Sequence, residues 1–237
     1  MKKLLLVLFS IVTTFCFSQK VDKQNATFTI RGNIGIPRTI NSKMFRTAFN
    51  GVVEGNLSFN ARLFGNFYVG LGYQISYFQN NKFLQYQYFK NSIPYNTRIT
   101  GNAGFVKLGI DRFFSDKGYM SYSINTGVMQ GKYSNVNLDT NINNKPYGNL
   151  VFITPYVQPE VSVNFLVENN LSFSIMLSYT TLFTKFDPKA PRFNQFEEVS
   201  KANNGHFMSW INIGFGFNIL INNKTNSSFS PATSPVE

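Results

Sequence analysis

The sequence is short of cysteine, histidine and charge. It holds one cysteine and one histidine in 237 residues. No disulfide can form within the chain, and the usual Cys and His clusters that ligate transition metals are excluded. Charged residues make up 14 %, against roughly 25 % in an ordinary soluble domain. After the N-terminus no apolar run reaches about 18 residues, so no transmembrane helix is expected. What fills the composition instead is aromatic: 26 Phe and 12 Tyr, with aromatics at 16 %. A chain so aromatic and so weakly charged would struggle to wet a soluble surface. If it lives in a membrane, it must cross with strands.

The first residues set the compartment. Lys2 and Lys3 precede an apolar run from Leu4, and small residues follow at Cys16 and Ser18. This is the pattern of a secretory signal peptide cut after Ser18. The run is too short to serve comfortably as an anchor. Phe15 and Phe17 around Cys16 do not fit a lipidation site, so the lone thiol leaves with the signal. Residues 19–25 then form a short periplasmic segment.

Eight segments alternate apolar and polar side chains. They are Ala26–Ile36, Phe49–Ala61, Phe67–Tyr77, Ile99–Phe113, Tyr119–Met129, Leu150–Phe165, Leu171–Phe183 and Phe207–Leu220. Each is long enough to cross a bilayer at a tilt, which takes about 9–11 residues. The connections alternate long and short. Pro37–Ala48, Gln79–Arg98, Gln130–Asn149 and Thr184–Gly205 are long; those at Leu63–Gly65, Ser115–Gly118 and Glu168–Asn170 are short. Outer-membrane barrels have short periplasmic turns and long external loops. The pattern predicts an all-β fold, an eight-stranded antiparallel up-and-down transmembrane β-barrel over residues 26–220. An even strand count places both termini in the periplasm. Residues 221–237, rich in Ser, Thr, Asn and Pro, read as a disordered periplasmic tail.

The second face of each strand identifies the inside. It carries Ser162, Asn164, Ser172, Ser174, Ser178, Gln74, Ser76, Ser121, Asn125, Asn212 and Asn218. Small polar side chains suit an enclosed lumen, and the apolar face then points to lipid. Tyr73, Tyr77, Tyr122, Tyr179 and Phe217 are expected in the aromatic girdles.

Four charges share the inward phase at mid-strand: Arg31, Glu54, Lys107 and Glu160. Two positive and two negative groups in a confined space are expected to pair in one network, because an unpaired buried charge is costly. Inward Tyr68, Phe105, Phe152, Tyr156 and Trp210 would fill much of the rest, with inward glycines making room for the rings. An eight-stranded barrel is just wide enough for side chains to fill. The expectation is a plugged barrel rather than a pore. A narrow channel lined by the four charges is the alternative, and acid–base catalysis by Glu54 or Glu160 lacks a substrate path.

His206 and Ser209 lie close in sequence, as a lipid hydrolase would want. Residues three apart on a strand face opposite sides, so they do not meet. No catalytic residue, cofactor or metal is assigned. The long loops hold nearly all of the excess positive charge, including Arg38, Lys43 and Arg46. That suits lipopolysaccharide phosphates; nucleic acid is excluded by export. Phe83, Tyr86, Tyr88 and Phe89 make the second loop a candidate protein or glycan contact.

The strand pattern, the "FSQK" signal junction and the Asn/Phe/Tyr/Lys-rich composition resemble small outer-membrane barrels of the OmpA/OmpX-like class, and more particularly those of Bacteroidota. The resemblance implies a barrel assembled from the periplasm and no particular activity. The chain lacks the peptidoglycan-binding domain of the tether type. The resulting expectation is a non-enzymatic barrel of the bacterial outer membrane. It would act as a structural protein or as an accessory subunit of a larger machine for export, barrel assembly or nutrient uptake. A narrow solute channel and a lipid-modifying enzyme are the alternatives.

Overall fold

The computed structural model describes residues 26–81, 85–88, 91–94, 97–115, 117–134, 150–191, 193 and 197–221, with backbone alone for 85–88 and 91–94. The proposed signal peptide, Phe83, Phe89 and the proposed tail from residue 222 lie outside them. Ten strands and two short helices follow in order: β1 (Phe28–Asn41), α1 (Lys43–Ala48), β2 (Phe49–Phe64), β3 (Phe67–Asn80), β4 (Gln85–Tyr88), β5 (Asn91–Pro94), β6 (Arg98–Ser115), β7 (Gly118–Ser134), β8 (Val151–Glu168), β9 (Leu171–Leu182), α2 (Glu197–Ser200) and β10 (Met208–Ile221). No described helix is long and apolar enough to cross a membrane, which says nothing of strands.

Eight strands close into one antiparallel barrel in the order β1-β10-β9-β8-β7-β6-β3-β2, and β4 with β5 makes a separate hairpin. The first and last barrel strands are paired from Phe28↔Ile221 to Asn41↔Met208. Closure leaves no sheet edge, which is the condition for strands in hydrocarbon. The alternation works as the sequence pattern implies. Ile36, Leu71, Ile213 and Phe215 stand outward at 54–68 % exposure, whereas Gln74, Ser76, Asn125, Asn212 and Ser172 are fully buried inside. Inward glycines admit the large rings: a Cβ on Gly72 would lie 2.3 Å from the Phe105 ring, and one on Gly109 would lie 2.4 Å from the Tyr68 ring.

Several boundaries move. The strands rise further than alternation alone indicates, because polar residues continue the ladder above the apolar band. β1 runs on to Asn41, so Pro37–Ala48 is not a loop and Arg38 is a strand residue. β7 reaches Ser134 and β8 ends at Glu168. The first short turn is Gly65–Asn66 rather than Leu63–Gly65, since Phe64 pairs with Phe67. Gly65 has φ 53°, the left-handed region that glycine enters without a Cβ clash.

α1 has a clear local cause. Asn41 turns the chain with φ 59°, a conformation asparagine tolerates better than most residues. Ser42 then caps the helix, its hydroxyl accepting from the Phe45 amide. A serine cap of this kind is worth about 1 kcal/mol. The helix buries Met44, Phe45 and Ala48 and leaves Lys43 and Arg46 exposed. Thr184–Gly205 also folds back in part, burying Phe186, Ala190, Phe193 and Val199. These residues meet at the loop end of the barrel and cover it.

Candidate functional site in the barrel interior

The interior is built in tiers. Nearest the short turns, β1 presents Arg31. Its Nη2 donates to both carboxylate oxygens of Asp111 at 2.9 and 3.1 Å, and its Nη1 donates to Tyr68 Oη and Ser121 Oγ, each at 2.9 Å. The guanidinium also lies 4.2 Å from the Tyr68 ring centroid. Asn218 donates to Asn164 Oδ1 at 2.7 Å and to Ser172 Oγ at 3.0 Å, completing this tier with uncharged groups.

At mid-height Lys107 Nζ meets Glu160 Oε1 at 2.8 Å, with both side chains at 3 % exposure or less. The Asn125 amide donates to Gln158 Oε1 at 2.8 Å and to the second Glu160 oxygen at 3.4 Å. Gln158 in turn donates to Glu54 Oε1 at 3.0 Å. A chain of amides therefore joins one carboxylate to the other.

Glu54 is held differently. Trp210 Nε1 donates to Oε2 at 2.6 Å and Ser76 Oγ at 3.0 Å, while Gln158 and Asn212 each donate to Oε1 at 3.0 Å. Among the described residues it has no cationic partner. Four donors match the roughly four lone-pair sites of a carboxylate. The charge is thus satisfied by fixed dipoles drawn from β3, β8 and β10.

Above Glu54 the chemistry changes. The Trp210 ring, bonded below to that carboxylate, meets Phe78 edge-on at 5.0 Å. Phe45 sits 5.6 Å from Phe78 and 5.8 Å from Phe186, and Phe49 sits 5.1 Å from Phe193. Tilted and edge-on pairs of this kind are worth about 0.5–1.5 kcal/mol each beyond the area they bury. Met44, Ala48, Ile99, Met129, Tyr133, Leu182, Val199 and Met208 join the same cluster. The barrel mouth is stoppered by hydrocarbon.

All four inward charges read from the sequence lie in this interior. Lys107, Glu160 and Glu54 are joined through Asn125 and Gln158, and Arg31 pairs apart from them. Arg31 is matched by Asp111, Lys107 by Glu160, and Glu54 by neutral donors. Asp111 shares the inward phase of Lys107 but stands near a strand end, where a survey of mid-strand positions passes over it. Arg38, Lys43 and Arg46 are exposed at the loop end, one on a strand and two on a helix. Tyr86 and Tyr88 fall in β4, where only the backbone is described.

His206 is exposed, whereas the buried Ser209 hydroxyl bonds with Thr181 and the Phe207 carbonyl. The pair does not meet. Among the described residues no cluster of three or more His, Cys, Asp or Glu side chains could hold a metal.

No family model matches the sequence, and no curated protein matches it. The solved structures do match. Neisserial surface protein A aligns over 83 % of this chain and 98 % of its own, at 10 % identity and a TM-score of 0.52. The fold is that of a small outer-membrane β-barrel. OprG from Pseudomonas aeruginosa, at 12 % identity and a TM-score of 0.46, and a major outer-membrane protein from Thermus thermophilus, at 12 % and 0.45, also align. They cover 83 % and 82 % of this barrel and 97 % and 98 % of their own chains. At 10 % identity the likeness to Neisserial surface protein A speaks for the fold of this barrel and for no activity.

Proposed function

We propose that the chain is a non-enzymatic protein of the bacterial outer membrane, with both termini in the periplasm and a plugged lumen. It works through its loop end and rim as a structural protein or accessory subunit of a larger outer-membrane complex. The observation that carries this reading is the double closure of the interior. Ion pairs and amides occupy the lower tiers, and aromatic side chains from α1 and 184–205 occupy the mouth. A barrel so filled has little left to offer a solute, so its outer surfaces are what remain for function.

Two features of those surfaces support the reading. The wall exposes a continuous apolar face that suits acyl chains. The loop end exposes Arg38, Lys43, Arg46, Lys132 and Lys189, cations that suit the phosphates of lipopolysaccharide.

Native affinity capture from detergent-solubilised membranes tests the subunit role. A defined outer-membrane partner should co-purify in constant ratio, and migration as a bare monomer would count against it. Planar-bilayer recording tests the plug: no steady conductance is expected, and an open level would favour the channel alternative.

A further inference from the structure

One face of the barrel wall departs from the apolar pattern around it. On β6 the outward residues run Leu108, Val106, Gly104, Asn102, Thr100 and Arg98 toward the loop end. Hydrocarbon side chains stop at Gly104 and polar ones take over. β7 follows suit, with Gln130 beside Asn102 and Lys132 beside Thr100. On β8 the same two rows return to Ile153 and Val151, and on β3 they end at Ile75 and Tyr77. A polar strip two strands wide is thus set between apolar and aromatic flanks.

Gly104 leaves a hole in the wall surface just below the strip. A Cβ placed there would meet nothing within 4 Å, whereas at the outward glycines Gly32 and Gly55 it would touch Leu57 at 3.6 Å or the Asn33 carbonyl at 3.7 Å. The hole belongs to an open groove of about 490 Å³ edged by Leu71, Val106, Thr126 and Val128. Ligand sites are typically roughly 300–1,000 Å³. Thr126 does not make the groove polar, because its hydroxyl donates to the Tyr156 carbonyl at 3.3 Å. The groove is a slot for hydrocarbon.

The strip above it suits a polar headgroup. Tyr73 Oη donates to Asn102 Oδ1 at 2.8 Å, which fixes that amide and leaves its NH2 for a ligand. Arg98 pairs with Ser134 and Lys132 with Thr100, so the two cations are diagonal neighbours. Diagonal side chains start about 7–8 Å apart, and residues this long can reach one anion between them. Among the described residues no acidic side chain shares the outward faces of β3, β6 and β7. From groove to loop end the order is hydrocarbon, then amides and a hydroxyl, then cations. A phosphorylated glycolipid presents the complementary order of acyl chain, sugar and phosphate.

We propose that this face holds one phosphorylated glucosamine lipid of the outer leaflet, the anchor of lipopolysaccharide. A phosphate sits on Arg98 and Lys132, the sugar lies against Thr100, Asn102 and Gln130, and one acyl chain fills the groove over Gly104. The proposal rests on the lipopolysaccharide contact proposed above and gives it a site of fixed stoichiometry. Arg38, Lys43 and Arg46 lie on β1 and α1, outside this face, and contribute only diffuse attraction.

Native mass spectrometry of the full-length protein in detergent micelles, titrated with lipid A, provides the test. One lipid A per chain should be retained, and phosphatidylglycerol far less. Gly104→Leu, which fills the groove from outside, and Arg98→Gln with Lys132→Gln should each lower retention about tenfold, with strand content by circular dichroism matched to wild type. Arg38→Gln with Lys43→Gln should leave retention unchanged. Retention indifferent to Gly104→Leu, or lost equally with the Arg38 and Lys43 pair, would overturn the site and leave a diffuse lipopolysaccharide contact standing. Equal retention of phosphatidylglycerol would overturn the glycolipid assignment. A wild-type dimer abolished by Gly104→Leu, with no lipid A bound, would give the groove to a second copy instead. Failure of the wild type to float with lipid vesicles would overturn the membrane reading itself.

Discussion

The lower and upper halves of the interior solve the same packing problem with opposite chemistry. Below Trp210, strand positions supply ions and amides whose bonds have fixed directions. Above it, Phe45 of α1 with Phe186 and Phe193 of 184–205 pack on apolar strand residues such as Phe49, Phe78 and Tyr133, a surface that needs only to be covered. Directional networks tolerate no missing member, because a removed partner strands its mate in a space without water. Apolar packing degrades gradually and can loosen without breaking the wall. The lower half is thus built wholly from the barrel, and the upper half from the barrel and the segments folded into its mouth.

The sharpest way to break this contrast is Lys107→Met. It leaves Glu160 buried and uncompensated, a loss of about 3–5 kcal/mol. Urea unfolding in detergent micelles should show a large drop in midpoint, and Lys107→Met with Glu160→Leu should recover most of it. If the double variant were no better than the single one, the argument from stranded charge would fail.

Arg31→Met should follow at about 3 kcal/mol, since Asp111 loses its two-pronged guanidinium partner and keeps the Ser121 hydroxyl as a donor. Adding Asp111→Asn to that variant should restore part of the midpoint.

Glu54→Gln tests the carboxylate that neutral donors hold. One amide NH2 would then face donors among Trp210, Ser76, Gln158 and Asn212. The expected cost is about 1–3 kcal/mol. Trp210 fluorescence should shift with it, because the indole N–H loses a charged acceptor. A variant as stable as wild type would mean that the four bonds do not require an anion.

Phe193→Ala should change the unfolding midpoint least, within about 0.5 kcal/mol if the stopper opens independently of the wall. Limited proteolysis within 184–205 should nonetheless quicken several-fold. A barrel that lost stability in step with its stopper would erase the distinction between the two halves.

The wall was legible because a closed barrel imposes one rule on every strand. A period-two pattern identifies inside and outside whatever the register, so Gln74, Asn125 and Asn212 are assigned correctly without any contact being known. Pairing is another matter. Nothing in the spacing of Arg31 and Asp111 says that two residues 80 apart will meet, because that depends on how strands stagger around the cylinder. The stopper was hidden for a different reason. Phe45, Phe186 and Phe193 sit in stretches that read as polar loops, where three aromatics have no period to declare themselves. α1 did leave a trace: Ser42 as a cap, with Met44 and Ala48 four apart.

The pairing of β1 with β10 carries a consequence for biogenesis. The partner that completes the N-terminal strand is the last to be synthesised, separated from it by nearly the whole barrel. Until that late segment arrives, β1 keeps one flank of amides and carbonyls bare, ready to recruit any extended peptide nearby. A premature stop before Met208 would leave that flank without its partner and yield an adhesive ribbon instead of a sealed cylinder.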